Sequence, residues 1–504
     1  MAQVETTVDV LIVGAGLSGI GAAAHLTMQC PNKSYAIVEQ RQDMGGTWDL
    51  FRYPGIRSDS DMHTLGYRFK PWLHEKTIAD GPSIHEYIHE TAAEFAITPH
   101  IHFGHRVLSA NWSSAEGRWK VTAKSVDGGA ERHFAARFLF MCAGYYDYDE
   151  GYRPEFPGEK NFKGQIIHPQ HWPEGLEYAG KKVVVIGSGA TAVTIVPVMA
   201  EEGADVTMLQ RSPTYMVSRP ARDPFANKLR KFLPEKIAYA ITRWKNINHQ
   251  RFTYWYARRN PAKLGERLVD MARQELPDTV DVDKHFVPKY GPWEQRLCLV
   301  PDSDMFKAIS SGKAKVVTEH IDQFTKTGIQ LKSGEHLDAD IIVTATGLNL
   351  VTMGKTAISI DGAPVNFGEH FNYKGVMFND IPNLASVFGY INASWTLKTD
   401  IVADYVCRLL WKMDDKNATV ATPHLDDVNM PRLPFVTDFS SGYFARSFDK
   451  LPKNGDRHPW RVLQDYKAEK KILSEDAVDD GVMVFSNPVA VHREETVETL
   501  LAAE

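Results

Sequence analysis

Two glycine-rich turns constrain the fold of this 504-residue chain more than any other feature of its sequence. Residues 9–23 read DVLIVGAGLSGIGAA, and residues 182–196 read KVVVIGSGATAVTIV. In each stretch, β-branched apolar residues lead into a glycine turn and then into small residues, which predicts a strand, a tight turn and a helix. A third apolar run, ADIIVTATG at 339–347, predicts another buried strand. The pattern is typical of an α/β protein with two such units.

The first turn has the residues that a dinucleotide requires. Gly14, Gly16 and Gly19 let the backbone approach a pyrophosphate, and the helix that begins beside Ser18 offers free N–H groups to it. About 20 residues further on, the run YAIVE ends in Glu39, whose carboxylate can accept hydrogen bonds from the ribose 2′-OH. This combination favours an unphosphorylated adenosine, as in FAD or NAD, over a turn without a ligand.

The second turn differs from the first at the end of the strand that follows it, where the first has the acidic Glu39. The run DVTMLQRSPT ends in Arg211 and Ser212, and a guanidinium there can bind a 2′-phosphate through two hydrogen bonds. This favours NADPH, with an ordinary surface arginine as the alternative. Together the turns predict two Rossmann-like dinucleotide-binding domains, for FAD and NADPH. The second site is predicted to use Gly187, Ser188, Gly189, Thr191, Ala192, Arg211 and Ser212.

Composition excludes several other classes of protein. The net charge of −6 supplies no extended basic field, so a nucleic-acid partner is not expected. The cysteines Cys30, Cys142, Cys298 and Cys407 form no CxxC pair, so neither a zinc ribbon nor a dithiol redox centre is predicted. The N-terminus lacks a basic signal-peptide region, and no apolar run approaches the ~20 residues of a bilayer span. We expect a cytoplasmic protein.

The domains are predicted to interleave along the chain. The FAD-binding domain takes residues 1–149 and returns at 346–504, where the tail from about residue 430 looks loop-rich. The NADPH-binding domain takes 150–219 and 301–345, and a helical insertion occupies 220–300. The insertion is rich in aromatic and basic residues, which we interpret as a solvated basic face over an aromatic packing stripe. The alternative is weak peripheral contact with a membrane.

Residues 85–89 read HEYIH, the pattern of a zinc-binding helix. Ser83 followed by Glu86 predicts a capped helix that places His85 and His89 on one face. The extended zinc-peptidase pattern requires a glycine and a third histidine downstream, and Ala92 and Phe95 stand at those places. We therefore expect no metal site, and two polar histidines on a helix over the flavin domain.

Two longer motifs carry a resemblance to a known family. The stretch FKGQIIHPQHWP at 162–173 fits F-x-G-x-x-x-H-x-x-x-W-P, and GGTWDLFRYPGIRSD at 45–59 fits [AG]-G-x-W-x4-[FY]-P-[GM]-x3-D. The chain resembles the type I Baeyer–Villiger monooxygenases over essentially its whole length. It is most similar to their ethionamide-activating group, through stretches such as FGYINASWTLKTD at 388–400. In the related N- and S-oxidising flavin monooxygenases, the first motif usually ends in Tyr or Phe.

The resemblance implies a reaction. NADPH-reduced FAD reacts with O2 to form a C4a-peroxyflavin, which inserts one oxygen into a ketone to give an ester or lactone. Linear aliphatic ketones are the expected substrates, with sulfoxidation as a side activity. The enzyme alternative is an N- or S-oxidising flavin-containing monooxygenase, and a flavin module that senses NADPH without turnover is the alternative from another class. A zinc peptidase ranks last.

The resemblance also implies roles for single residues. Arg296 is expected to stabilise the developing oxyanion, and Asp59 to orient Arg296. His168 is expected to coordinate the motion of the two domains as a hinge residue, not as an acid or a base. Many family members have Lys immediately before the arginine; here it is Gln295, so discrimination of NADPH from NADH is expected to be weaker. The expected FAD contacts also include Gly46, Thr47, Trp48, Asp59 and Val107, the NADPH contacts also include Arg57 and Ser58, and the fingerprint comprises Phe162, Gly164, His168, Trp172 and Pro173.

Overall fold

The computed structural model of the protein describes residues 5–436 and 442–488. The strands, in chain order, are β1 (Thr6–Val13), β2 (Tyr35–Val38), β3 (Ile101–His102), β4 (His105–Ser113), β5 (Arg118–Ser125), β6 (Glu131–Met141), β7 (Tyr146–Gly151), β8 (Gln165–Ile167), β9 (Lys182–Ile186), β10 (Asp205–Gln210), β11 (Met216–Arg219), β12 (Cys298–Pro301), β13 (Ala314–Thr318), β14 (Ile321–Phe324), β15 (Gly328–Leu331), β16 (His336–Asp338), β17 (Ile341–Thr344), β18 (Leu348–Leu350), β19 (Ala357–Ile360), β20 (Ala363–Pro364), β21 (Asn372–Tyr373), β22 (Met377–Phe378), β23 (Leu384–Ser386), β24 (Val420–Pro423) and β25 (Met483–Ser486).

The helices are α1 (Leu17–Gln29), α2 (Thr47–Leu50), α3 (Met62–Leu65), α4 (Gly81–Glu94), α5 (Ala190–Glu201), α6 (Pro224–Leu229), α7 (Glu235–Arg259), α8 (Pro261–Glu275), α9 (Val282–Phe286), α10 (Asp304–Ser310), α11 (Trp395–Asp415), α12 (Gly442–Ala445) and α13 (Tyr466–Ser474). Two of them, α1 and α5, begin directly after the two glycine turns.

The first sheet is built around the first turn. Its strands follow the order β20-β19-β4-β5-β6-β1-β2-β3, and β23 also pairs with β6. Strand β1 is apolar throughout its second half because both of its faces are covered. Val10 and Ile12 pack in the core that holds α1 and α11, whereas Leu11 and Val13 pack in the core that holds Trp119.

The second sheet is parallel throughout, with the order β13-β10-β9-β17-β8. It is also covered on both faces: Val183 and Val185 enter one core, and Val184 and Ile186 enter another. The run at 339–347 supplies the buried strand β17, as predicted. The predicted fold class, α/β with two Rossmann-like units, is confirmed.

The segment predicted as a helical insertion contains α6 to α9, which lie between the paired strands β11 and β12. Its long helix α7 is tied to the first unit by the buried Arg243. The guanidinium of Arg243 donates to the carbonyls of His63 at 2.9 Å and Gly66 at 2.7 Å, and pairs with Asp400 at 3.0 Å.

One local prediction needs correction. Helix α4 begins at Gly81 and not after a Ser83 cap: the Asp80 carboxylate accepts from the Ser83 N–H at 2.9 Å, and Pro82 suits the first turn. The tail is loop-rich, as expected: the helices and strands of its described residues are the short α12, α13 and β25. Residues 437–441 and 489–504 lie outside the described residues.

The helices within residues 5–436 and 442–488 were also compared with the requirements of a bilayer span. Among them, no helix combines the length and the apolar character that such a span needs.

Candidate active site

A cavity of about 330 Å³ is lined by residues of both units. It gathers most of the residues predicted to bind FAD, together with a few of those predicted to bind NADPH. Its walls include Gly14, Gly16, Ser18, Glu39, Gly46, Thr47, Trp48, Arg57, Ser58, Asp59, Val107, Thr191 and Arg296. Outside the cavity wall lie Gly19, Gly187, Ser188, Gly189, Ala192, Arg211 and Ser212, and the fingerprint residues Phe162, Gly164, His168, Trp172 and Pro173.

Glu39 is held rigidly at the end of β2. Its side chain is buried, and its two carboxylate oxygens accept backbone N–H groups from Ala15 at 2.7 Å and Arg41 at 2.8 Å. Burial raises the pKa of Glu39 above its ordinary value, against the effect of these hydrogen bonds. Each oxygen keeps a further lone pair, so the carboxylate can still accept a sugar hydroxyl.

The glycines of the first turn serve two different purposes. Gly14 has φ +100°, and a Cβ on Gly19 would lie 1.8 Å from the Gly14 carbonyl oxygen, so the chain itself requires both. Gly16 has an ordinary φ of −77°. A Cβ there would meet Gly46 Cα at 3.6 Å, an ordinary contact. The chain does not need glycine at position 16, but a pyrophosphate approaching the backbone does, so this turn fits a dinucleotide.

The second turn repeats this arrangement in a more open setting. A Cβ on Gly187 would lie 2.3 Å from the Ala345 carbonyl oxygen. Gly189 has φ −76° and would meet nothing within 4 Å. The Ser188 hydroxyl donates to the Ser212 carbonyl at 3.3 Å, and Arg211 stands exposed directly after β10. This turn also fits a phosphate-bearing ligand.

Arg296 and Asp59 come together at the cavity wall, although 237 positions separate them in sequence. The Arg296 guanidinium donates to Asp59 Oδ2 at 2.8 Å, and both side chains are partly exposed. Nearby, Arg57 forms an ion pair with Asp304 at the start of α10. Burial raises the pKa of the Cys298 thiol to about 12, so this cysteine near the pair stays protonated and unreactive.

The fingerprint segment lies where the chain passes between the units. Strand β8 is the edge strand of the second sheet. The segment that follows it contacts β7, where Gln170 Nε2 donates to the Asp147 carbonyl at 2.7 Å. His168 Nε2 donates to the Gly347 carbonyl at 3.2 Å, and His168 Nδ1 accepts from the Gln170 N–H at 3.2 Å. Burial lowers the pKa of His168, which favours the neutral imidazole that makes both of these hydrogen bonds. A Cβ on Gly151 would lie 1.9 Å from the His168 ring, so the two segments are in close contact.

The sequence motifs missed several aromatic residues of the cavity wall. Trp395 Nε1 donates to the Ser18 hydroxyl at 2.7 Å, and the Tyr145 and Trp395 rings stack with centroids 5.1 Å apart. The Tyr148 and Thr47 hydroxyls are 3.3 Å apart. Tyr145 and Tyr148 follow the end of buried strand β6, a position that could have marked them as candidates. Trp395 lies in the stretch FGYINASWTLKTD that carried part of the resemblance, but no local pattern pairs it with Ser18, which is 377 positions away.

Comparison with known proteins also indicates a flavin-binding protein. The profile of the flavin-binding monooxygenase-like family matches residues 72–353, and that of an NAD(P)-binding Rossmann-like domain matches residues 12–74. The chain is 53% identical over 479 residues to the FAD-containing monooxygenase EthA of Mycolicibacterium smegmatis, covering 95% of this chain and 97% of that protein. The chain belongs to the flavin-binding monooxygenase-like family.

Other relatives of this flavin monooxygenase give similar values. The EthA protein of Mycobacterium tuberculosis is 52% identical over 96% of this chain and 99% of its own length. The probable FAD-binding monooxygenase AlmA of an Acinetobacter species is 50% identical over 95% of this chain and 97% of its own length. The resemblance to the ethionamide-activating group is confirmed.

Solved structures share the fold of this flavin monooxygenase. Steroid monooxygenase bound to NADP superposes with a TM-score of 0.78 at 22% identity, over 96% of this chain and 100% of that one. Cyclohexanone monooxygenase gives a TM-score of 0.75 at 20% identity, over 95% of this chain and 100% of that one. At these identities the likeness shows the fold. The predicted pair of cofactors, FAD and NADP(H), is confirmed at the level of the family, since the relatives are FAD-containing monooxygenases and the matched Rossmann-like domain is NAD(P)-binding.

Proposed function

We propose that this flavin monooxygenase is a Baeyer–Villiger monooxygenase. It converts a ketone, O2, NADPH and a proton into an ester or lactone, NADP⁺ and water. The observation that carries the proposal is the pairing of Arg296 with Asp59 at 2.8 Å on the wall of the cavity that also holds the first glycine turn. Linear aliphatic ketones are the proposed substrates, and thioethers are oxidised at sulfur as a side activity.

The first unit holds FAD in this proposal, and the second unit holds NADPH. Glu39 accepts the ribose hydroxyl of FAD, and the backbone at Gly16 faces its pyrophosphate. Arg211 and Ser212 bind the 2′-phosphate of NADPH, while the N-terminus of α5 at Thr191 faces its pyrophosphate. Gln295 is neutral, so Arg211 carries most of the discrimination against NADH.

The bound flavin, once reduced, supplies the electrons and activates O2. Arg296 then stabilises the negative charge that develops on the ketone oxygen, because its guanidinium is permanently charged. Asp59 fixes the orientation of the Arg296 guanidinium. Removal of such a donor typically costs ~3–4 kcal/mol of transition-state stabilisation. His168 acts through the connection between the units and touches no reacting atom.

The ketone is proposed to bind beside Arg296, against the insertion and two loops. Of the loop at 390–396, Tyr390, Ala393, Ser394 and Trp395 line the cavity. The loop at 435–447 contributes Phe435 and Phe444 to a small apolar core with Ile391. Its residues 437–441 lie outside the described part of the chain.

The identity of the products tests the proposal. Purified protein receives NADPH, air, 2-octanone and methyl phenyl sulfide together, and products are identified by mass spectrometry. An ester derived from octanone is the expected result. Sulfoxide without ester, across a series of linear and cyclic ketones, would favour an N- or S-oxidising flavin monooxygenase. NADPH consumption that yields only hydrogen peroxide with every ketone would also contradict the proposal.

A further inference from the structure

A second cluster of ligating groups lies outside the cavity, on helix α4 and the loop before α2. His89 Nε2 is 3.0 Å from Asp43 Oδ1, and His85 Nε2 is 3.4 Å from Asp43 Oδ2. One donor atom from each of the three residues lies within 4.8 Å of the other two. All three residues are half-buried.

The fold holds these side chains in place. His85 and His89 are four residues apart on α4 and share one face, as the sequence predicted. Without a metal ion, His85 Nε2 donates to the Met44 carbonyl oxygen at 2.9 Å, so this ring faces the loop; an ion bound at Nε2 would replace that hydrogen bond. A Cβ on Gly45 would lie 2.6 Å from His85 Cδ2, which shows how closely that loop approaches α4.

We propose that Asp43, His85 and His89 bind one divalent transition-metal ion, with Zn²⁺ as the best match. Two imidazole nitrogens and one carboxylate form a ligand set that zinc accepts, with water completing the coordination. At metal–ligand distances of about 2.1 Å, neighbouring tetrahedral ligands lie about 3.4 Å apart, close to the separations of 3.0 and 3.4 Å between the Asp43 carboxylate and the two histidines. The site departs from our sequence-based expectation, which looked for a third histidine downstream and not for Asp43.

The site is a clamp and not a hydrolytic centre. Its third ligand comes from the segment that continues into Gly46, Thr47 and Trp48, which line the cavity. A bound ion therefore ties this part of the cavity wall to α4. Neighbouring Asp49 lies 3.8 Å from His85 Nε2, but it is already paired with Arg41 and Arg52 and adds charge, not a ligand.

Metal binding to the FAD-loaded, full-length protein tests the clamp directly. After treatment with EDTA and removal of the chelator, the protein is titrated with ZnCl2 by calorimetry at pH 7.5, and CoCl2 gives the visible spectrum of the bound ion. One equivalent of Zn²⁺ should bind to the wild type, and none to His89→Gln or Asp43→Asn. The matched control is His424→Gln, because His424 pairs with Asp380 and Asp426 on the surface without a second histidine.

Thermal unfolding gives a second readout. Zn²⁺ at 100 times its dissociation constant should raise the folding equilibrium constant of the wild type about 100-fold, and leave that of His89→Gln unchanged. The proposal fails if the wild type binds no zinc, or if His89→Gln binds it as the wild type does. It also fails if His424→Gln loses binding equally, since the ion would then not sit at Asp43.

A different observation, on the insertion, carries a second proposal. Seven large apolar side chains are exposed within residues 225–255: Phe225, Phe232, Ile237, Ile241, Trp244, Phe252 and Trp255. The exposed fractions of Phe232, Trp244 and Phe252 are 74%, 66% and 60%. Five of the seven, at 237, 241, 244, 252 and 255, follow one side of α7, so the aromatic stripe predicted to be packed is turned outward there, while Arg243 anchors another side of the helix to the first unit. Phe225 lies on α6, and Phe232 lies between the two helices. We call these seven side chains the aromatic face.

Charge indicates what covers the aromatic face. Residues 224–259 contain nine Lys or Arg and one Glu, in a chain whose total charge is −6. Of these nine, Arg243 is buried against Asp400, and Lys245 and Arg251 pair with Asp223 and Asp465. Apolar aromatic residues with a basic rim match the interface of an anionic bilayer, which accepts rings at headgroup depth and attracts cations. We infer that the aromatic face docks on an anionic membrane surface. Helix α7 also approaches the candidate site: the rings of Tyr254 and Trp293 lie 5.8 Å apart, and Trp293 is three residues before Arg296.

Co-sedimentation with vesicles tests this docking. The wild type should bind phosphatidylcholine vesicles containing 30% phosphatidylglycerol at least 10-fold more tightly than pure phosphatidylcholine vesicles. The Trp244→Ser/Phe252→Ser variant should lose that binding, and Trp411→Ser, an exposed tryptophan on α11, should keep it. Equal binding by wild type and double variant contradicts the proposal. So does a wild-type dimer that the double variant converts to monomer without any binding to vesicles, because the face would then bind a second copy.

Discussion

The two glycine turns share the same strand–turn–helix arrangement, but their surroundings differ in burial. At the first turn, Glu39 is buried and held by two backbone N–H groups. At the second turn, Arg211 is exposed and forms no ion pair with any residue in the described ranges. The first helix packs on its turn through Gly19, and the second helix has Ala192 at the same place. A closed, rigid site suits a cofactor that stays bound, whereas an open site suits one that enters and leaves in each turnover.

The largest expected effect comes from exchanging the packing residues of the two turns. In Gly19→Ala, the new Cβ would lie 1.8 Å from the Gly14 carbonyl oxygen, and neither backbone can move away easily. We expect no FAD-loaded, folded protein, as measured by the flavin-to-protein ratio and circular dichroism. The reciprocal Ala192→Gly should fold and cost only about 1 kcal/mol. Normal flavin content in Gly19→Ala would show that the first turn is not tightly packed.

Arg211→Ala should affect only the second site. Loss of charge-assisted hydrogen bonds to the 2′-phosphate, worth about 1.5–3 kcal/mol, should raise KM for NADPH roughly 10- to 100-fold. KM for NADH should stay unchanged, and Arg211→Lys should recover part of the loss. Steady-state kinetics with both nucleotides measure this. An equal loss for NADPH and NADH would mean that Arg211 does not bind the 2′-phosphate.

Glu39→Gln is the corresponding substitution at the first site, and it should affect only FAD. The amide cannot accept a charge-assisted hydrogen bond from the ribose, so FAD should dissociate about 10-fold faster while KM for NADPH stays the same. Fluorescence of the released flavin follows the dissociation. If FAD retention is unaffected while NADPH binding weakens, the assignment of the two turns is reversed.

The smallest expected effect concerns the connection between the units. Burial lowers the pKa of His168, so the folded protein takes up this proton at a lower pH than the unfolded chain does. His168 therefore costs stability as the pH falls below about 6.5. Between pH 7.5 and 5.5, the free energy of unfolding should fall more in wild type than in His168→Gln, by about 1 kcal/mol or less. His171→Gln serves as the control in urea titrations, and equal pH profiles for wild type and His168→Gln would contradict this role.

Sequence periodicity was sufficient for β1, α1, β9 and α5, because a buried parallel strand followed by a glycine turn leaves few alternatives. It also placed Glu39 and Arg211 at the ends of the right strands. It did not anticipate Trp395 beside Ser18 or Asp43 beside His89, since these contacts join distant segments and no local pattern encodes them. It misjudged the start of α4, where Asp80 competes with Ser83 as the cap. It also misjudged the aromatic face, because periodicity does not say whether a stripe is covered.

The proposed reaction depends on Arg296, which Asp59 orients, and the fate of NADPH electrons in Arg296→Ala tests that role. Ester, hydrogen peroxide and NADP⁺ are quantified together with 2-octanone as substrate. We expect continued oxidation of NADPH, with ester formation reduced roughly 100- to 1,000-fold and peroxide formed in its place. Ester formation within a few-fold of wild type would rule out this role of Arg296, because the developing oxyanion would then be stabilised by another group.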